Sequence, residues 1–161
     1  MQPLTEDDVR AVLVNATADE RERLTVPMSF VLADWDHLDF FAWVDPRTRG
    51  RGYVVIERDR APIGVVVRAA DGGRSRAAMC DVCHTMQPGN QVTLFAARRA
   101  GDAGARGDSV GIYLCADLGC HENVRLAAPL APGELRVGVD RRIDGTRARV
   151  EAFVERVVAG A

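Results

Sequence analysis

The sequence predicts an α+β fold: antiparallel hairpins gathered around a cluster of four cysteines, with helices at both ends of the chain. Three observations carry this expectation. Capped segments with helical periodicity open and close the chain. Alternating apolar runs of high β propensity fill its middle. All four cysteines fall into two close pairs, Cys80-Asp81-Val82-Cys83 and Cys115-Ala116-Asp117-Leu118-Gly119-Cys120, with 31 residues between Cys83 and Cys115.

The first helix is expected over 5–16. Thr5 and Asp8 resemble a capping box, and Glu6, Asp7 and Asp8 suit the positive end of a helix dipole. Val9, Val12, Leu13 and Ala16 give it one apolar stripe. Thr17 with Glu20 starts a second, shorter helix that Pro27 closes. The charged run from Asp19 to Arg23 reads as a solvated face. Between 28 and 45 lie Phe30, Trp35, Phe40, Phe41 and Trp43, five of the chain's nine aromatics, so this stretch is the expected packing seam. Asp34, Asp36, Asp39 and Asp45 are interleaved with them. These read as turn and solvent-facing positions rather than an acid–base pair, because no nucleophile or metal motif accompanies them.

An arginine-rich turn, 45–52, leads into the strand Tyr53-Val54-Val55-Ile56. A charged connection, 57–62, returns through Ile63 to Arg68, making a hairpin. Gly72-Gly73 marks a loop and Gln87-Pro88-Gly89-Asn90 a turn. Residues 91–99 and 110–115 alternate as two more strands, joined by a Gly/Ala-rich connection that reads as mobile. On the second, Val110, Ile112 and Leu114 share one face, and Tyr113 points to the other along with Gly111 and Cys115. Leu135, Val137 and Val139 alternate as a short strand. Val150, Phe153, Val154 and Val157 line one side of a closing helix over 144–158.

Two close thiolate pairs set one hairpin apart suit a tetrahedral Zn²⁺. Positions 115 and 120 would lie about 140° apart on one helix. Cys115 is therefore expected at a strand end, and Cys120 in a turn or a helix's first turn. A knuckle, a hairpin and a short helix in this order resemble a treble clef. Cys80, Cys83, Cys115 and Cys120 fill all four positions, so the single zinc is structural and leaves no place for a catalytic water. A thioredoxin-like redox pair lacks its strand–CxxC–helix context. His84 and His121 stand beside ligands and are expected near the metal or on the surface, not on it.

The net charge of −2 is uneven: residues 1–45 carry ten acids and three arginines (3 − 10 = −7), and residues 46–161 carry eighteen arginines and thirteen acids (18 − 13 = +5). All 21 basic residues are arginine, as a GC-rich coding bias would produce. No apolar run approaches the ~18 residues of a membrane span, and the acidic start does not resemble a secretory signal. A cytoplasmic protein is expected, whose close cysteine pairs favour metal over disulfides.

The run from Tyr113 through Cys115 and Cys120 to Arg125, with Cys80-x-x-Cys83 upstream, resembles the treble-clef zinc-binding domain of the elongation-factor-G-binding proteins. These are the fusidic-acid-resistance type, or FBP, proteins. Arg21 to Pro27, Phe40 to Pro46 and the hairpin through Val67 also resemble it. The resemblance implies an N-terminal helical segment, 1–26, and an FBP-type domain, 27–161. It further implies a non-enzymatic protein with no small-molecule substrate, which binds elongation factor G and modulates its release from the ribosome. Partner contact is then expected beside the ligands. Tyr113 fits an aromatic contact position, and Val82 and Arg98 are the other candidate contacts. Asp81-Val82 stands where the resistance proteins carry an aromatic. The alternative is a zinc finger that binds RNA or DNA through Arg47, Arg49, Arg51, Arg98 and Arg99.

Overall fold

The computed structural model describes residues 1–70, 78–88, 90–126 and 138–159. Helices α1 (Glu6–Val12), α2 (Ala18–Glu22) and α3 (Met28–Val31) precede the strands β1 (Phe40–Val44), β2 (Arg51–Arg58) and β3 (Ala61–Ala69). The short strands β4 (Ala78–Met79) and β5 (Met86–Gln87) follow. Then come β6 (Val92–Arg98), α4 (Gly101–Ala105), β7 (Ser109–Cys115), α5 (Cys120–Asn123) and α6 (Val139–Val158). One antiparallel sheet runs β1-β2-β3-β6-β7, and β4-β5 is a separate hairpin. The α+β expectation holds.

The β2–β3 hairpin is tighter than expected. Glu57 pairs with Pro62 and Arg58 with Ala61, so the charged connection shrinks to Asp59-Arg60. Both residues have positive φ (50° and 65°), as a two-residue turn matched to strand twist requires. β3 meets β6 only at Arg68↔Ala96 and Ala69↔Phe95. Beyond that point Asn15 fills the gap. Its Nδ2 donates to Val66 O (3.0 Å) and Arg98 O (2.9 Å), and its Oδ1 accepts the Val66 N–H (2.7 Å). A side-chain amide carries the donor and acceptor of a peptide group, so it can stand in for missing ladder bonds.

Both capping boxes form, Thr5 with Asp8 and Thr17 with Glu20. The first helix stops earlier than its apolar stripe predicts. Leu13 leaves it to bridge Gly64, and the Val14 N–H reaches Gly64 O (2.9 Å). Tertiary pairing overrides helical periodicity here. The connection after β6 is ordered: it forms α4, buries Ala103 and Gly104, and sends the Ala100 N–H to Val157 O (2.8 Å). Gly104 packs so close to the chain that an added Cβ would fall 1.8 Å from Arg99 O. Val139 begins α6 instead of ending a strand. Leu135, Val137 and the Gly72-Gly73 loop lie outside the described residues. At the expected turn, 87–90, Gly89 lies outside the described residues, and the Gln91 N–H donates to Pro88 O (2.8 Å).

The period-2 alternation of the strands sorts the interior into two cores on opposite faces of the sheet. One holds Phe40, Val54, Ile56, Val65, Val67 and Phe95 with Val150, Phe153, Val154 and Val157 of α6, together with all four cysteines. The other holds Phe41, Trp43, Tyr53, Val55 and Val66 with Val9, Leu13, Leu24 and Phe30 from the N-terminal helices. The predicted aromatic seam is therefore divided. Phe40 turns to the cysteine face, while Phe30, Trp35, Phe41 and Trp43 pack ring against ring, and Trp43 stacks on Tyr53 at 4.9 Å.

Candidate metal centre

Three pieces of backbone bring the cysteines together. The β4–β5 hairpin holds the first pair as a knuckle. The Cys80 N–H donates to Thr85 O (3.1 Å) and the His84 N–H to Cys80 O (2.9 Å). Cys115 is the last residue of β7 and Cys120 the first of α5, as the spacing predicts. Between them the Leu118 N–H closes a turn on Cys115 O (2.9 Å). His84 and Leu118 take positive φ (55° and 60°), one left-handed residue in each ligand turn.

The four Sγ atoms lie within 4.8 Å of one another, and all four cysteines are buried. Cys80 and Cys120 sulfurs are 3.5 Å apart, and Cys83 and Cys115 sulfurs 3.6 Å. A tetrahedron with Zn–S bonds of about 2.3 Å has sulfur–sulfur edges of about 3.8 Å. The cage therefore fits one zinc. The sulfurs of Cys115 and Cys120 hold the Cys80 and Cys83 thiols below the ordinary range. Cys120 is pushed up in return, chiefly by Cys115 and then Cys80. Cys115 is pushed up as well, so one pair of sulfurs sheds its protons readily and the other holds them; four sulfurs buried this close form a donor set suited to a cation.

Two further groups turn toward the sulfurs. Asn123 Nδ2 donates to Cys115 Sγ (3.3 Å), and the Thr85 hydroxyl lies 2.5 Å from Cys83 Sγ. Sequence reading missed both. Asn123 follows Cys120 by three residues, about one helical turn, and that spacing was its only signal. The centre is also tied outward. Asp81 N–H donates to Tyr113 O (2.8 Å), and the Tyr113 N–H donates to Asp81 Oδ2 (2.9 Å), joining knuckle to β7. Arg149 Nε of α6 donates to Val82 O (2.7 Å). Leu118 packs on β2 at Gly52, where an added Cβ would fall 2.5 Å from Leu118 Cδ1.

The remaining predicted residues are placed as follows. His121 lies against the Phe40 ring (6.1 Å), 3.6 Å from Asp39 Oδ2 and 3.1 Å from Arg125 Nη1. Burial, and then the Arg125 charge, pushes its pKa below the ordinary value. His84 is exposed. Tyr113 is half-buried on β7. Val82 is 1% exposed and packs in the cysteine-face core, so its side chain offers no surface to a partner. The alternation inside the knuckle turns Val82 inward and leaves Asp81 outside. Arg98 turns to Glu20 (3.2 Å).

Two expectations of solvent exposure fail. Glu20 is 2% exposed and pairs with Arg68 and Arg98, so the charged run of α2 has a buried anchor. Asp45 is buried too: its Oδ1 accepts the Arg47 and Thr48 N–H groups, and its Oδ2 accepts the Tyr53 hydroxyl (3.0 Å). Asp39 accepts Arg125 (2.7 Å) and links β1 to α5.

A profile described as the FBP C-terminal treble-clef zinc-finger matches residues 8–157. The chain belongs to this family. No curated protein and no solved structure matches it. In the FBP domain the β4–β5 knuckle supplies two zinc ligands, and the end of the β6–β7 hairpin and α5 supply the other two. Its zinc has four protein sulfurs and therefore holds structure together. Among the described residues no helix is long and apolar enough to cross a membrane.

Proposed function

We propose that this FBP-domain chain is a non-enzymatic binding protein that docks on elongation factor G and modulates its release from the ribosome. The family match over 8–157, nearly the whole chain, is the observation that carries this reading. The closed zinc site supports it, because a metal with no open position contributes shape rather than chemistry. That shape presents Tyr113 and the exposed Asp81 side by side next to the ligand turns. We assign the factor's contact to this patch; Arg98 stands at the other end of the β6–β7 ladder, paired with Glu20. The +5 balance after residue 45 suits an acidic partner or the ribosome.

The test is isothermal titration of the zinc-loaded chain into purified elongation factor G. Saturable binding is expected, lost after chelation and weakened at least ~10-fold by Tyr113→Ala, the effect of a buried aromatic contact. No heat at micromolar concentrations would overturn the proposal. The nucleic-acid reading is the lesser one. Of its five arginines, Arg98 is drawn to Glu20 and Arg99 donates to Arg156 O (2.6 Å).

A further inference from the structure

β7 is an edge strand of the five-stranded sheet. Among the described residues its outward side is paired only near the ligand end, where Tyr113 exchanges two hydrogen bonds with Asp81 and Cys115 O accepts the Leu118 N–H. Tyr113 N–H and C=O therefore point away from β6. In an antiparallel ladder this direction alternates, so Gly111 and Ser109 present their N–H and C=O on the same open side. Both residues are exposed. Asp81 thus begins a sixth strand that the described residues do not continue.

Beside this open edge runs a groove of about 630 Å³, between β7 and one face of α6. Gly111 and Ile112 form one wall, and Arg149, Ala152, Arg156 and Ala159 the other. Two of the α6 wall residues, Ala152 and Ala159, are small, which leaves width for a backbone. The groove's lining carries two arginines and two carboxylates, which differ in how far they are already engaged. Its two carboxylates are engaged, Asp81 with Tyr113 N–H and Glu155 with Arg58 (3.6 Å). Arg149 is spent on Val82 O and faces the thiolates. Arg156, lying over the Phe153 ring, and Arg99, bonded to Arg156 O, have no carboxylate partner among the described residues.

We propose that the β7 edge is a strand-addition site for an extended, acidic peptide segment of a partner protein. The segment pairs with Ser109 and Gly111, continues the strand that Asp81 starts, and sets its carboxylates against Arg156 and Arg99. Main-chain hydrogen bonds give such a site its affinity and the flanking charges its selectivity. The site does not depend on which protein supplies the segment, so it stands or falls apart from the elongation-factor reading.

The experiment uses the full zinc-loaded chain and a capped heptapeptide alternating glutamate and valine. Amide hydrogen exchange is read residue by residue. In the free chain, Ser109 and Gly111 are expected to exchange fast and Val110 and Ile112 slowly. With peptide, protection should appear at Ser109 and Gly111. Gly111→Pro removes one outward donor, a change that an edge strand tolerates; it should weaken binding at least ~10-fold with an unchanged unfolding midpoint, as loss of a main-chain bond in a strand-addition site predicts. Arg156→Glu should weaken it similarly. Peptide binding without protection at Ser109 and Gly111, equal binding of a lysine–valine peptide, or no binding at millimolar peptide would overturn the proposal. So would sedimentation as a dimer whose own copies protect this edge.

Discussion

The two faces of the sheet solve the same burial problem with different chemistry. The aromatic face is closed by rings and ordinary polar pairing: Trp43 stacks on Tyr53, and Tyr53 donates to buried Asp45. The N-terminal helices cover it, anchored by Asn15 and Glu20. The cysteine face is aliphatic and is closed by α6 and the ligand turns. β4, β5 and α5 are two to four residues long, too short to stand without a constraint. Packing alone is therefore expected to suffice on one side, and the other to need its metal. The difference separates residues that resemble each other in burial and not in consequence.

Removing zinc is the largest way to break this contrast. A Cys83→Ser/Cys115→Ser double variant should lose on the order of 10 kcal/mol of metal-linked folding energy, comparable with a whole domain's stability. Circular dichroism should show loss of cooperative unfolding, and elemental analysis well under half an equivalent of zinc. Trp43→Ala on the aromatic face should cost about 3–5 kcal/mol and retain the metal. A zinc-free variant that still unfolds cooperatively would reverse the ranking.

Glu20→Gln comes next. It keeps the size of the side chain but removes the charge between Arg68 and Arg98, at a cost of about 2 kcal/mol, typical of a hydrogen bond to a charged group. Denaturant unfolding checks this, and an unchanged midpoint with an unchanged slope would show that α2 needs no buried anchor.

Tyr53 gives a pH test of the aromatic face alone. Burial above all raises its phenol pKa to about 12. The folded state thus holds its proton more tightly than the unfolded state. The associated stability is fully present below pH ~10, the ordinary tyrosine value, and is lost as pH rises toward 12. Tyr53→Phe should flatten that alkaline decline in melting temperature. An equally steep decline in the variant would place the alkaline sensitivity elsewhere.

The smallest effect separates the two ligand turns. His84 is exposed at φ 55°, so His84→Gly removes backbone strain and should stabilise the chain by about 1 kcal/mol. Leu118 sits at φ 60° but is buried against Gly52, so Leu118→Gly trades that strain for a cavity and should destabilise. Thermal melts of the two variants should move in opposite directions.

Local signals in the sequence determined much of this molecule. Both capping boxes, the strand alternation and the four-sulfur cage were legible because each depends on residues a few positions apart. The faces of Val110, Ile112 and Leu114, and the placement of Cys115 and Cys120, followed from the geometry of one strand and one helix turn. The tertiary structure alone decided the rest. It buried Glu20 and Asp45, which read as surface residues because their partners, Arg68, Arg98 and Tyr53, come from other elements. It ended α1 at Val12 by offering Leu13 a strand to bridge, and it used Asn15 to complete a ladder 51 residues away. It turned Val82 inward and, among the described residues, left the Ser109–Gly111 edge of β7 open beside α6. Each of these rests on contacts between distant segments, which periodicity along the chain cannot encode.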